Sequence, residues 1–235
     1  MNEKTFSLND KQHQFHADKG RIRAFLGGAG AGKTFIGCLE AYVQAAENPG
    51  TLGIISRYTY RELSDSTRRV FFEVVPPEAI KSFNKTENQV ELWAGDGSQV
   101  STILFRSLDD PQKIGWGINL GFAYIDEAAE LPNDEMFLLL QTRLRAPEGP
   151  RKMWLTSNPP DEAHWIHQWF VKNRPEDYSL IHASIYDNQA NLPPDYITNL
   201  EASFKKRPQW ARRYLEGQFG TVVVGEPVYQ SYEDG

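Results

Sequence analysis

The chain has 235 residues, 40% of them hydrophobic and 12% aromatic, which suits one large folded domain or a domain with an appendage and excludes disorder as its main state. Its single cysteine, Cys38, rules out a disulfide framework and an all-cysteine zinc site. The net charge is −6, from 25 basic and 31 acidic residues, so any contact with nucleic acid must be local rather than driven by bulk charge.

The first 20 residues are polar and do not resemble a signal peptide. No apolar run approaches the roughly 18 residues that span a bilayer. Together these features point to a soluble intracellular protein with no membrane contact. Internal repeats and low-complexity runs are absent from the sequence.

Residues 8–19 read as a short polar helix, and Arg21–Leu26 as a strand entering a glycine-rich turn. Thr34–Ala46 has helical spacing and stops at Asn48-Pro49-Gly50. Thr51–Ser56 is a second buried strand, and Tyr60–Val75 a helix ended by Pro76-Pro77. Gln89–Trp93 and Val100–Arg106 flank Gly95-Asp96-Gly97-Ser98, a hairpin signal. Gly121–Ile125 is a short apolar strand that runs into Asp126-Glu127. A helix over Glu135–Leu144, a strand over Lys152–Ser157, a tryptophan-rich helix near 163–173 and a strand over Tyr178–Ser184 follow. Buried strands alternating with helices predict a mainly parallel sheet covered on both faces. After Asn191 the texture changes to a basic helical stretch, Tyr196–Leu215, read as a small subdomain. Val222–Gly235 begins like a strand and then stops, which reads as the front edge of something further.

Gly27-Gly28-Ala29-Gly30-Ala31-Gly32-Lys33-Thr34 matches G-x-x-x-x-G-K-[ST], the P-loop. Its glycines let backbone N–H groups wrap a phosphate chain that side chains would obstruct. Lys33 is expected to reach the β- and γ-phosphates, and Thr34 to hold Mg²⁺ through its hydroxyl. The strand before and the helix after are the context this motif requires, and the helix adds its positive dipole end. At the end of the Gly121–Ile125 strand, Asp126 is expected in the Mg²⁺ shell, as the Walker B aspartate, with Glu127 as general base. Glutamate beside the aspartate favours hydrolysis over transfer to a second substrate.

Thr156 and Asn158 end the next strand, where a small polar residue can sense the γ-phosphate; a plain turn capped at Asn158-Pro159 competes with that reading. Gln12 can present one donor and one acceptor to an adenine edge, or be a solvated glutamine. Arg57, Arg143 and Arg145 are candidate arginine fingers, in cis or from a neighbour, with surface ion pairs as the alternative. The Lys205–Arg213 cluster either contacts phosphates or is a solvated helix face. Trp154, Trp165 and Trp169 read as packing residues. His164 and His167 are i, i+3 on a helix but lack a partner for metal binding.

In this order and spacing the motifs resemble the ATPase domain of the large terminase subunit of tailed bacteriophages. The resemblance rests on L-x-x-K-Q at Leu8–Gln12, the GGAGAGKT loop, Ser56-Arg57, and Asp109-Asp110-Pro111 with Lys113-Ile114. It also rests on IDEAAEL, Thr156–Pro160, and Arg213-Tyr214-Leu215-Glu216-Gly217, and it covers nearly the whole chain. The resemblance implies a RecA-like core of the additional-strand, catalytic-glutamate type over residues 1–190, a helical lid over 191–221, and a linker or first strand over 222–235. It implies ATP and Mg²⁺ as substrate and cofactor, and double-stranded DNA, portal protein and small terminase subunit as partners. It further implies a ring, a pentamer on the procapsid, in the host cell cytoplasm, with the isolated domain a slow monomeric enzyme. The family's nuclease residues would fall beyond residue 232, so nuclease activity is not expected from this stretch. Two departures stand out: Ala29 replaces a common P-loop arginine or lysine, and Lys113–Gly117 lacks the arginine of an R-G pair. A superfamily 2 helicase lobe, a nucleotide-binding switch and a small-molecule kinase are the rival readings. The helicase needs a second lobe, the switch has no need of Glu127, and the kinase needs an acceptor pocket and an arginine-rich lid.

Overall fold

The computed structural model describes residues 6–115 and 117–220. The expected strand after residue 221 and Trp116 lie outside the described residues. A single sheet of eight strands organises the chain. Helix α1 (Asp10–Ala17) leads into β1 (Ile22–Gly27), the P-loop and α2 (Lys33–Glu47). Strand β2 (Leu52–Arg57) precedes a helical run of α3 (Tyr60–Glu62), a π-turn (Leu63–Thr67) and α4 (Arg68–Val74). Then come β3 (Ile80–Asn84), β4 (Gln89–Ala94), β5 (Gln99–Ser107) and β6 (Phe122–Ile125). Helix α5 (Glu135–Arg143), β7 (Lys152–Ser157), α6 (Trp165–His167), a second π-turn (Gln168–Lys172) and β8 (Tyr178–Ala183) follow. Helices α7 (Tyr196–Phe204) and α8 (Pro208–Tyr214) end the described chain.

The strand order is β3-β4-β5-β2-β6-β7-β1-β8. Six strands, from β5 across to β8, are parallel, and β3 and β4 extend the edge as an antiparallel hairpin. Strand β7 lies between β1 and β6, so an additional strand separates the P-loop strand from the Asp126 strand. Because neighbours are parallel and in register, β1, β2, β6, β7 and β8 all end at one edge, at Gly27, Arg57, Ile125, Ser157 and Ala183. Strand β3 was not expected, since Ile80–Asn84 has only two apolar residues among its five and is separated from a proline pair by just two residues. It is recruited by pairing with β4.

Alternation along each strand supplies both faces of the sheet. On one face Ala123, Ile125, Met153 and Leu155 pack under Phe137, Leu140, Ile166 and Phe170. On the other, Phe122, Tyr124 and Trp154 pack under Ile36, Phe71 and Val74. Trp154 stacks on both Phe122 and Tyr124, at centroid distances of 5.5 and 5.9 Å, and donates to the Gly37 carbonyl. Trp154 is thus a packing residue. The expected helical stretch over Tyr196–Leu215 is two helices, broken before Pro208, whose ring cannot continue a helix interior. They form a separate apolar cluster with Ile185, Leu192 and Leu215.

Candidate nucleotide site

The site forms where β1, β6 and β7 end. Lys33 opens α2, and Gly32 before it adopts a left-handed conformation (φ 76°). A Cβ at Gly32 would lie 2.4 Å from the Gln12 amide nitrogen, so glycine is required on both counts. Lys33 is 7% exposed, and its Nζ donates to the Gly28 carbonyl (2.9 Å) and to Asn158 Oδ1 (3.0 Å). Burial lowers the Lys33 pKa, while Glu127 and Asp126 oppose that shift.

Asp126 is fully buried and surrounded by hydroxyls. Thr34 Oγ1 lies 3.2 Å from both carboxylate oxygens. Thr156 donates to Oδ1 at 2.6 Å and Thr67 to Oδ2 at 2.6 Å. The Tyr124 hydroxyl, 2.9 Å from Thr156 Oγ1, completes the chain by donating to it. Thr156 therefore points at Asp126 from inside the core rather than at a phosphate. Asn158, next to it, is the residue that meets Lys33.

Glu127 follows with φ 48° and ψ 49°, a strained backbone for a non-glycine residue. Burial raises its pKa above the ordinary carboxylate range. Lys33 and Arg57 pull it down, Asp126 pushes it up, and the Asn158 N–H bonds it. A carboxylate that accepts a proton more readily than usual is suited to general-base work near neutral pH.

A cavity of about 530 Å³ opens over these groups, lined by Ala29, Gly30, Gly32, Lys33, Thr34, Glu127 and Asn158, with Val70 and Glu73 of α4. A second cavity of about 390 Å³, lined by Phe6, Gln12, Phe35, Asn188 and Asn191, shares Gly32 and Phe35 with it. Gln12 is buried and donates to the Gly32 carbonyl at 3.3 Å. Its Oε1 accepts the Asn9 N–H, closing a capping box on α1. The amide is therefore part of the P-loop surround rather than solvated.

The carboxyl-terminal helices clasp the P-loop. Ala29 N–H donates to the Tyr214 carbonyl (2.7 Å), and Asn188 Nδ2 to the Gly30 carbonyl (2.7 Å). A Cβ on Gly28 would sit 2.4 Å from the Tyr214 oxygen. Thr67 and Asn188 fall in no spaced motif, and Tyr124 reads only as an apolar position of the strand before Asp126. The parallel ordering of β6 and β7 is what brings its hydroxyl to Thr156.

The arginines require correction. Arg57 ends β2 at the right edge, but its guanidinium makes a two-point pair with Glu130 (2.9 and 2.5 Å), which raises its pKa further. It does not line the phosphate cavity. Arg143 and Arg145 stand at the opposite edge of the sheet. The Arg143 carbonyl accepts from Leu120, just before β6 begins, and Arg145 Nε donates to Asn119. Helix α5 runs back against the direction of the parallel strands, so whatever follows it returns to their starting edge. A contact with the same chain's phosphates is thereby excluded for both. In the basic cluster, Lys205, Lys206, Arg207 and Arg212 are exposed, and Arg207 packs over Trp210.

The pairing of Thr34 with Asp126 fits a magnesium ion. Such ions take hard oxygen ligands, keep several waters and need only one or two protein groups beside substrate phosphates. Among the described residues there is no cluster of three or more histidine, cysteine or acidic side chains, the kind of all-protein cage this ion does not need.

Residues 24–231 match the family described as terminase large subunit, T4likevirus-type, N-terminal. The PBSX phage terminase large subunit of Bacillus subtilis (strain 168) is 26% identical over 227 residues, covering 88% of this chain and 51% of its relative. The large terminase of a thermophilic bacteriophage, solved in complex with ADP, superposes with a TM-score of 0.78 at 16% identity, covering 90% of this chain and 54% of that one. The large terminase ATPase domain of Thermus phage P74-26 gives 0.64 at 16% identity, over 92% and 95%. These structural likenesses establish the RecA-like P-loop fold. The chain spans about half the length of the PBSX subunit and of the ADP-bound terminase. With most of its length matched, the chain belongs to the family of phage terminase large subunits, and corresponds to their amino-terminal part.

Proposed function

We propose that the chain is the ATP-hydrolysing motor domain of a terminase large subunit, driving double-stranded DNA into a procapsid. The observation that carries this is the convergence of Lys33, Asn158 and Glu127 on one cavity beside the Thr34–Asp126 pair. The P-loop amides and Lys33 would hold the β- and γ-phosphates, and Gln12 with Phe35 would border the adenine. Thr34 and Asp126 would hold Mg²⁺, which when bound would supply charge neutralisation for the phosphates. Glu127 takes a proton from water aligned with the terminal phosphate. Asn158 holds Lys33 and Glu127 in a common frame. No helix among the described residues is long and apolar enough to cross a membrane.

In this reading residues 1–190 are the core, 191–221 the lid and 222–235 a linker or first strand, and the separate apolar cluster of α7 and α8 supports the division. Portal protein and small terminase subunit are the partners, and a pentameric ring in the host cell cytoplasm is the working state. A neighbour would then supply an arginine toward the phosphates, since Arg57 is held by Glu130, with Arg143 and Arg145 on an outer edge as donors. The test is steady-state phosphate release from Mg²⁺–ATP across a wide protein concentration range. A rate per subunit that rises with concentration is expected. Tight nucleotide binding with no turnover at any concentration would overturn the motor reading and favour a nucleotide switch.

A further inference from the structure

The Asp126 carboxylate is held at both ends. Thr156 donates to one oxygen and Thr67 to the other, each at 2.6 Å, while Thr34 faces both. Thr156 comes from the strand after Asp126, at a position where a polar residue is expected. Thr67 comes from a different element, the π-turn between α3 and α4.

That turn has a definite consequence. Arg68 N–H bonds the Leu63 carbonyl, five residues back, so one extra residue enters the turn. A threonine within a helix commonly returns its hydroxyl to the carbonyl four residues earlier. Thr67 instead sends its hydroxyl out of the helix to Asp126. Its own carbonyl takes the Cys38 thiol of α2, one turn along from Thr34. The π-turn thus seats against the face of α2 that carries Thr34. Interruptions of this kind are concentrated at functional sites. Thr67 is fully buried, and Val70 and Glu73, about one and two turns further on, line the phosphate-side cavity.

We infer that Thr67 is a positioning residue for the metal, fixing the Asp126 carboxylate so that one face is presented to the ion beside Thr34. The inference rests on the proposed ATP–Mg²⁺ site. Thr67 does not line the cavity and acts through its bond to Asp126. Partners of this kind typically change metal affinity by 10- to 100-fold.

The test uses Mn²⁺ with ADP, read by electron paramagnetic resonance, on the whole chain. Thr67→Val keeps the shape and removes the hydroxyl; Thr67→Ser keeps the hydroxyl. Thr67→Val should weaken Mn²⁺ binding about 10-fold or more, and Thr67→Ser should restore it. Binding of ADP in excess chelator should be the same in all three. Equal Mn²⁺ affinity in wild type and Thr67→Val would overturn the inference. So would a loss of chelator-insensitive ADP binding matching the loss of metal, which marks a general structural defect. If Thr67→Val does not fold, Thr67→Ala takes its place. Failure of both hydroxyl-free variants to fold, with Thr67→Ser folded, assigns the hydroxyl to the fold and overturns the inference. Failure of wild type to bind Mn²⁺–ADP is a different result: it removes the proposed site itself.

Discussion

Replacing Glu127 by glutamine keeps the length of the side chain and the left-handed backbone turn that carries it, and removes only the proton-accepting charge. A positioned general base contributes about 10²–10⁴ in rate, which is about 3–5 kcal/mol of barrier. Glu127→Gln should therefore bind nucleotide and scarcely turn it over. The surroundings add a second signature. Burial holds the Glu127 pKa above the ordinary carboxylate range, so the acidic limb of the wild-type rate profile should lie above that range. The sign for stability follows from the same shift. A raised folded-state pKa means the folded chain binds this proton more readily than the unfolded chain. The contribution is present in full below the ordinary glutamate range and is lost as pH rises through the elevated value. Glutamine has no such dependence, so the variant should gain stability over wild type as pH rises from acid to neutral. Phosphate release against pH, with thermal melts on the same buffers, tests both. Full turnover by the variant would refute the base assignment. A stability difference that does not change with pH would refute the account of burial.

Arg23 and Glu40 form a buried pair at 2.7 Å, 1% and 2% exposed, with Arg23 also donating to the Phe15 carbonyl of α1. Arg23→Met removes the guanidinium partner of a buried carboxylate, leaving only His16 and Gln44 on it, and should cost about 3–5 kcal/mol by calorimetry. Burial pushes the Glu40 pKa up, but Arg23 and His16 together outweigh it and the net shift is downward. That stabilisation is present above the ordinary carboxylate range and lost as pH falls through the lowered value, so the deficit should shrink in acid. Gly28→Ala drives a methyl to 2.4 Å from the Tyr214 carbonyl and should cost about 1–3 kcal/mol. Hydrogen exchange should speed at Ala29 and through α8 while β1 and β7 stay protected; unchanged exchange would show that the clasp does not matter. Arg145→Ala, at an exposed position across the sheet, should leave dilute-protein turnover unchanged, within about 0.5 kcal/mol of stability. A tenfold loss in dilute protein would show that it reaches its own site after all.

Local chemistry in the sequence determined the P-loop, the paired Asp126 and Glu127, and the alternating strands and helices. Each depends on residues within a few positions of one another, and the family follows from the order of such motifs along the chain. A glycine-rich turn must have its glycines together, and a buried strand must show a run of apolar residues. The sequence could also place Lys33 and Thr34 on a helix start, since that follows from the motif's own spacing.

Tertiary structure decided which of the remaining polar residues meet. Gln12 reaches Gly32, and Thr67 reaches Asp126 across 59 positions, because α1 and the π-turn dock on α2. Thr156 and Asn158 lie two positions apart, yet Thr156, still on β7, reaches Asp126, while Asn158, in the turn after it, reaches Lys33. Arg143 and Arg145 go the other way. They are close to Glu127 in the chain but lie across the sheet, because a helix joining parallel strands must travel back the length of the sheet. Strand β3 exists only because β4 supplies its partner. Short-range pattern fixes what an element is; which elements become neighbours is set by burying all their apolar faces together, a condition no local window contains.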